Sequence, residues 1–191
     1  MAASNSRPAY QPDQVLEFTR IFDAPRELVW RVWRDPEHMV RWHGPEGYWL
    51  KDCHIDFRVG GKWSRTMSRA ADHAHRIYGE YLEIREPERL SFTYINDYDA
   101  HEMVVTLDFE EAGGKTVMHF HQAPFISVEE RDSHGWGWGS GLDLLASYLV
   151  RVKAADGKVV GQPRIDGVAE DIMALRNKQE ETRRADAAKD R

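Results

Sequence analysis

His119 and His121 are the pair of side chains whose type and spacing come closest to those of a metal site. Two residues apart on a strand, both imidazoles point to the same side of a sheet, and such a pair can supply half of the ligands of a zinc ion. Met118 and Phe120 alternate with them and should take the core side. That leaves both histidines outward and without a third ligand, so we predict solvated surface residues and no metal.

No motif in the chain assigns a catalytic residue. Ser140 lies between two glycines, but Trp138 stands where the Gly-x-Ser-x-Gly motif requires glycine. Cys53 alternates with apolar residues of the same strand, which is typical of a buried structural cysteine. His73 and His75 stand in a polar stretch and are interpreted as loop residues. We predict that no cofactor is bound.

Arg20 is the charged residue of greatest interest. The alternation of residues 15–22 places its side chain with Leu16 and Phe18, on the side of the sheet that should be covered. A buried arginine needs a partner, which would be Asp56 or a carboxylate or phenolate of a ligand. The favoured alternative is that Arg20 lies near a frayed strand end and reaches water.

Residues 127–150 carry a long helical pattern that is unusually rich in glycine. Ser127 followed by Glu130 is typical of a capping box, which predicts that the helix begins there. Apolar residues then recur at intervals of three and four on one face, namely Trp138, Leu142, Leu145 and Leu149. Glycine stands at positions 135, 137, 139 and 141, and each interior glycine costs roughly 1 kcal/mol relative to alanine. We predict that Trp138 and these glycines border a cavity.

Ahead of that helix, the pattern indicates one strand, two short helices and about six further strands. Pro25 and Pro36 each mark the first turn of a short helix, and the second of these helices is predicted to continue through Trp42. Residues 68–76 are polar and are predicted to form a loop, whereas short turns join the other strands. Such strands form an antiparallel meander that curls as it twists. The predicted fold class is α+β: a curved antiparallel sheet of about seven strands, with two short helices and one long C-terminal helix across its concave face.

This order of elements, with specific phrases in matching places, resembles the START-like helix-grip superfamily (SRPBCC). Within it, the chain is similar to the group named after the activator of heat-shock-protein ATPase. The resemblance covers roughly residues 15–150 and is carried by phrases spread along the chain. In order, they are Phe22-Asp23-Ala24-Pro25, Val29-Trp30, Asp35-Pro36, Arg41-Trp42, Gly44-Pro45, Asp56-Phe57-Arg58-Val59-Gly60-Gly61, Gly79-Glu80-Tyr81, Glu83-Ile84, Pro87-Glu88-Arg89-Leu90 and Gly135-Trp136.

The resemblance implies a cavity between the sheet and the long helix that holds an apolar or aromatic small molecule. Its candidate lining consists of core-type side chains from the strands and the glycine-bearing helix, together with the one candidate charge. These residues are Arg20, Trp63, Phe92, Tyr94, Met103, Val105, Phe120, Trp138, Gly141 and Leu142.

Composition narrows the classes of partner and the location. A net charge of −6 makes the chain a poor nucleic-acid binder, because phosphate attraction needs clustered lysine and arginine. No apolar run approaches the length of a membrane span, and none resembles a signal peptide, so no membrane partner is predicted. The single cysteine allows no intrachain disulfide, which agrees with a cytoplasmic location.

The domain organisation follows from where the patterns begin and end. Residues 1–14 are small and polar and are predicted to be disordered, and residues 15–152 form the helix-grip domain. Residues 153–191 form an extension in which Val168, Ile172 and Leu175 predict an amphipathic helix. Such a helix must dock on its own domain or on a second subunit. A homodimer through the extension is slightly favoured.

Three functions are consistent with these observations. The first is a binding protein for a small apolar or aromatic ligand, and the second is a cyclase, dehydratase or hydrolase that uses the same cavity. Two or more ionisable groups with displaced pKa values in the cavity would favour the enzyme. The third is a module that interacts with a chaperone ATPase, which would show an exposed apolar patch.

Overall fold

The computed structural model describes residues 10–70 and 73–164, which form seven strands and three α-helices. After a 3-10 turn at Pro12–Gln14, the elements follow in one sequence. They are β1 (Leu16–Phe22), α1 (Arg26–Arg34), α2 (Pro36–Met39), β2 (Trp49–Ile55), β3 (Lys62–Ala70), β4 (His73–Arg85), β5 (Arg89–Asn96), β6 (Glu102–Ala112), β7 (Lys115–Ala123) and α3 (Val128–Ala154).

The seven strands form one curved antiparallel sheet in the order β1-β7-β6-β5-β4-β3-β2. Strands β2 to β7 are a meander, since each pairs with its neighbour in the chain. The first strand joins the far edge by pairing with β7, where Phe18 lies opposite Phe120 and the two rings stack at 4.5 Å. The predicted fold class, a helix-grip α+β domain, is confirmed.

Helix α3 begins where its sequence predicts. The Ser127 side chain accepts a hydrogen bond from the Glu130 amide at 3.1 Å. The Glu130 carboxylate accepts from the amide of Ile126, one residue before the cap, rather than from the cap residue itself. The first bond satisfies an amide that the first helical turn leaves free, the second ties the preceding residue to the helix, and the acidic first turn complements the helix dipole.

Two elements differ from the sequence prediction. The loop predicted at residues 68–76 is mostly strand, because β3 and β4 continue to Ala70 and from His73 with Met67 opposite His75. Polar composition indicated a loop there, but the pairing between two long strands satisfies the backbone groups of these polar residues. Helix α2 ends at Met39 instead of continuing to Trp42.

The chain segments that flank the sheet also pack on the domain. Within the segment predicted to be disordered, Pro12–Gln14 forms a 3-10 turn, and the Gln14 carbonyl accepts a hydrogen bond from the Phe125 amide. At the other end, Val160 packs against the core and Arg164 bonds through its backbone to Val40 and Leu50. The domain therefore includes residues beyond position 152. The amphipathic helix predicted in the extension lies outside the described residues.

Residues 10–70 and 73–164 include neither a helix that could span a membrane nor a cluster of side chains that could bind a metal ion. None of these helices has the length and apolar content that a transmembrane segment needs. No group of three or more His, Cys, Asp or Glu side chains in the same ranges is arranged to hold a metal ion. Cys53 is fully buried and shares a face with Arg65, its partner on β3.

Candidate functional site

A cavity of about 170 Å³ lies between the concave face of the sheet, helix α3 and the segment that joins α2 to β2. Tyr98 and Trp136 are 65 % and 60 % exposed, so the cavity opens to solvent on their side. Aromatic rings, glycines and a few polar side chains form the wall. The lining residues are Trp42, His43, Gly44, Pro45, Tyr48, Met67, His75, Tyr94, Asn96, Tyr98, Ser133, His134, Trp136, Gly137, Trp138 and Gly141.

Trp138 is the central side chain of the aromatic wall. Its ring centroid lies 4.9 Å from that of Phe120 and 6.0 Å from that of Tyr94. Trp33 of α1 packs on it at 6.2 Å, which ties the short helices to α3. Its indole N–H donates to the Gln122 side-chain oxygen at 2.9 Å, so the ring is fixed both by packing and by a hydrogen bond.

The glycines of α3 divide into two sets according to their position on the helix. Gly137 and Gly141 border the cavity and face the segment of residues 43–48. Gly135 and Gly139 border a separate surface depression beside β1 and Arg20. At position 141 the helix comes so close that an added Cβ would lie 3.4 Å from the Gly44 carbonyl oxygen. Gly141 therefore borders the cavity and also allows the backbone of α3 to lie close to the backbone at Gly44.

The segment of residues 43–48 forms the rim of the cavity and is held from two sides. Gly44 has a φ of +92°, a conformation that favours glycine. From α3, the Ser140 hydroxyl accepts a hydrogen bond from the Glu46 amide at 2.8 Å. From the other side, the Arg164 guanidinium donates to the carbonyls of Trp42, Gly44, Pro45 and Tyr48. A residue far along the chain thus shapes the rim.

A polar network closes one end of the cavity. The Gln122 oxygen, which already accepts from Trp138, lies 3.3 Å from His134 Nδ1. Because that oxygen is an acceptor, Nδ1 carries the proton, and Nε2 accepts from the Asn96 amide at 3.4 Å. Burial lowers the pKa of His134 to about 4. The network therefore presents neutral hydrogen-bonding groups.

His43, on the rim segment, also lines the cavity and is also neutral. Its Nε2 lies 3.3 Å from a guanidinium nitrogen of Arg65, and arginine can only donate, so His43 carries its proton on Nδ1. Burial is the largest cause that holds the pKa of His43 well below 6.5, and the charges of Arg65 and Arg164 act in the same direction.

The structure brings three of the ten predicted lining residues to the cavity: Tyr94, Trp138 and Gly141. Six others are packed core side chains with at most 3 % exposure, namely Trp63, Phe92, Met103, Val105, Phe120 and Leu142. They support the wall from behind, because the core is filled except beside α3 and the rim. Which residues bind a ligand stays a prediction.

Arg20 lies outside the cavity, in the depression beside β1. Its guanidinium pairs with Asp143 of α3 at 3.2 Å and also donates to the Gly139 carbonyl at 3.4 Å. The Arg20 side chain is 38 % exposed and so reaches water, as the favoured alternative predicts, but β1 stays paired with β7 as far as Phe22 and is not frayed there. Asp56 is not its partner and pairs with Arg58.

Sequence reasoning missed the polar lining residues. His43 and Asn96 stand in turns or at a strand end, where their types carry no special signal, and His75 was assigned to a loop. His121, for which the sequence predicts a solvated position, is only 9 % exposed, and its ring lies 3.7 Å from the Glu17 carboxylate of β1. Its partner His119 is on the surface, as predicted, and lies 3.1 Å from Thr19.

We predict that acidification destabilises the protein through His134. In the unfolded chain its pKa rises to about 6.5, so between pH 6.5 and 4 only the unfolded state takes up this proton. The contribution of neutral His134 to the free energy of unfolding is therefore fully present above about pH 6.5 and decreases as the pH falls towards 4. Between pH 7 and pH 5 the loss should be about 1–2 kcal/mol. Urea unfolding of His134→Gln should show a pH slope smaller by that amount. The exposed His54→Gln is the control, and equal slopes in all three proteins would contradict the prediction.

The sheet, the long helix across its concave face and the cavity between them define a helix-grip protein of the START-like superfamily. More narrowly, residues 23–150 match the family described as Activator of Hsp90 ATPase homolog 1-like protein, and the chain belongs to this family. No functionally curated protein matches the chain.

Solved structures with the same fold agree with this assignment. A protein from Chromobacterium violaceum is 26 % identical with a TM-score of 0.67, over 71 % of this chain and 96 % of the other. One from Nitrosomonas europaea is 23 % identical with a TM-score of 0.66, over 76 % and 99 %. The AHSA1 protein of Silicibacter pomeroyi is 24 % identical with a TM-score of 0.64, over 72 % and 98 %. The likeness to the last two concerns the fold alone.

Proposed function

We propose that the protein binds a small aromatic molecule in the cavity between the sheet and α3. The observation that supports this best is an unfilled space whose wall is aromatic and whose two buried histidines, His43 and His134, are neutral. Ligand sites commonly combine such an apolar wall with a few placed hydrogen-bonding groups.

The size of the cavity limits the ligand. An apolar cavity of roughly 150 Å³ accommodates benzene, and this one measures about 170 Å³ with an opening beside Tyr98 and Trp136. One aromatic ring would fill the enclosed part between Trp138 and the rim, and a substituent would extend through the opening. The Asn96 side-chain NH2, which donates one of its two hydrogens to His134, would donate the other to a polar group on that ring.

A leucine at position 137 tests the proposal. A Cβ at Gly137 would meet only Pro45, at 3.8 Å, so the side chain would project into the cavity without a backbone clash. Indole, a neutral aromatic probe, should bind Gly137→Leu at least about tenfold more weakly in calorimetric titrations. The protein should remain folded, because replacing glycine in a helix raises helix propensity by about 1 kcal/mol.

Gly139→Leu is the matched control. Position 139 lies two residues away on the same helix but faces Arg20 instead of the cavity. Its affinity for indole should stay within about twofold of that of the natural chain. Equal loss in both variants, or no binding to the natural chain, would contradict the proposal. Position 141 is less suitable, because a side chain there would press on the Gly44 backbone.

An enzyme that uses the same cavity is the second candidate. Two ionisable groups with displaced pKa values, His43 and His134, do converge on the cavity, and this observation favours catalysis. However, both pKa values are lowered, whereas a general base works best with a pKa near the operating pH. The direction of the two shifts therefore favours binding. A product formed from a bound aromatic substrate, and lost in His134→Gln and His43→Gln, would establish the enzyme.

The chaperone interaction, the homodimer and the cytoplasmic location stay predictions. Among the described residues, the exposed large apolar side chains are spread over several elements, as with Ile21 on β1, Leu82 on β4 and Val150 on α3. Sedimentation of the full chain at micromolar concentration would decide the oligomeric state.

A further inference from the structure

A buried positive charge lies directly behind the wall of the cavity. Arg65 is 4 % exposed, and its side chain shares one face of β3 with Trp63 and Met67, two residues away on either side. Met67 lines the cavity. A guanidinium nitrogen of Arg65 reaches His43, another lining residue, at 3.3 Å. The charge is thus separated from the cavity by a single imidazole ring.

No carboxylate among the described residues pairs with Arg65. Its contacts are the His43 ring, the Cys53 sulfur and the face of Trp63, whose centroid lies 4.7 Å from the guanidinium carbon. Asp52, next to Cys53 on β2, points to the opposite side of the sheet. A buried arginine without a counter-charge is costly and unusual in a native protein.

Acidic residues on nearby elements bond elsewhere. Asp56 pairs with Arg58 at 2.9 Å, and Asp35 accepts from the Glu37 amide at the start of α2. Within the described parts of the chain, Arg65 therefore belongs to no ion-pair network.

Hydrogen-bond donors around this charge also lack acceptors within residues 10–70 and 73–164. Arg65 Nε, His43 Nδ1 and Trp63 Nε1 are all buried without a partner. Because Arg65 donates to Nε2 of His43, Nδ1 is a donor as well, so all three groups offer a proton and none receives one. Buried donors are normally paired, and a cluster of unpaired ones requires an explanation.

We propose that the cavity ligand is an aromatic acid that carries a carboxylate or an ionised phenol group. The charge of Arg65 neutralises this anionic group, and the His43 ring lies between the two charges or beside the anion. This inference rests on the proposed function, since it specifies the chemical class of the ligand in the same cavity. An anion supplies what is missing here: a counter-charge for Arg65 and an acceptor for the unpaired Nδ1–H of His43, which lines the cavity. A neutral aromatic ligand would fill the space and leave the charge of Arg65 uncompensated.

Benzoate and benzamide form the test pair, because they are nearly equal in size and differ in charge at pH 7. Calorimetric titration of the full chain at low ionic strength should show benzoate binding at least about tenfold more tightly than benzamide. In Arg65→Met, which keeps the length of the side chain without its charge, the ratio of the two affinities should fall to about one. Benzamide should bind this variant about as well as it binds the natural chain.

Two further variants separate the role of Arg65 from general effects. Arg20→Met removes an arginine outside the cavity and should leave the preference for benzoate unchanged. Arg65→Gln also removes the charge but keeps an N–H donor, so the ratio should again fall to about one, which decides the question if Arg65→Met does not fold. A preference that persists in folded Arg65→Met would overturn the assignment to Arg65.

The outcomes distinguish this inference from the proposed function. If indole binds but benzoate has no advantage over benzamide, the anion site is wrong and the aromatic cavity stands. If indole, benzamide and benzoate all fail to bind the natural chain, both proposals fall.

Discussion

Trp138→Ala should lower the free energy of unfolding by about 3–5 kcal/mol, the largest effect that we expect from a single substitution. The indole packs against Trp33 of α1, Phe120 of β7 and Tyr94 of β5, so it joins α1 and the sheet to α3. Alanine would leave a space continuous with the existing cavity, so the surrounding core could not close over it.

The same substitution should loosen the polar network. Without the indole N–H, the Gln122 oxygen loses its 2.9 Å bond and keeps only His134 as a donor in the network. Urea unfolding monitored by circular dichroism would measure the loss of stability. Trp136→Ala is the matched control, because Trp136 is 60 % exposed on the same helix and should contribute about 0.5 kcal/mol or less. Similar losses in both variants would contradict the role assigned to Trp138.

Arg164→Met should destabilise the protein by about 2–3 kcal/mol, because a charged donor that serves several carbonyls is lost. The guanidinium contacts four carbonyl oxygens of residues 42–48, two of them at 3.2 and 2.8 Å. Removing it leaves these acceptors half-buried and frees the rim that shapes the cavity. Indole affinity should therefore fall together with stability.

Lys158→Met is the control for this second prediction, since Lys158 belongs to the same segment but is exposed. Arg164→Lys should recover only part of the stability, because an ammonium group cannot reproduce the planar fork of a guanidinium. Unfolding by urea and calorimetric titration with indole would measure both effects. If Arg164→Met behaved like Lys158→Met, the rim would not depend on the guanidinium.

The position of Arg164 also changes how the extension should be tested. Deleting residues 154–191 would remove this contact together with the predicted amphipathic helix, and the two effects would be mixed. A chain that ends after residue 164 keeps the rim intact. Comparing its oligomeric state with that of the full chain would test the predicted homodimer without disturbing the cavity.

Residue patterns predicted the elements of this fold well where they are local. The alternation of residues 102–109 predicts one buried face for Met103, Val105, Leu107 and Phe109, and each of them is at most 2 % exposed. The spacing of Trp138 and Leu142 likewise placed one face of α3 against the core. Polar composition misled at residues 68–76, because a residue in a long hairpin is stabilised by its partner strand rather than by its own propensity.

The sequence by itself determined the order of strands and helices, the fold class and the presence of a glycine-rich helix face. These features depend on periods of two and about 3.6 residues and on the backbone preferences of glycine and proline, which act over a few positions. Only the tertiary structure decided which part of the core stays unfilled and which polar groups surround it. Arg164 and Gly44 are 120 residues apart and His43 and Arg65 are 22 apart. Their contacts depend on how the whole sheet curves and packs, and no local pattern records whether a core volume is filled.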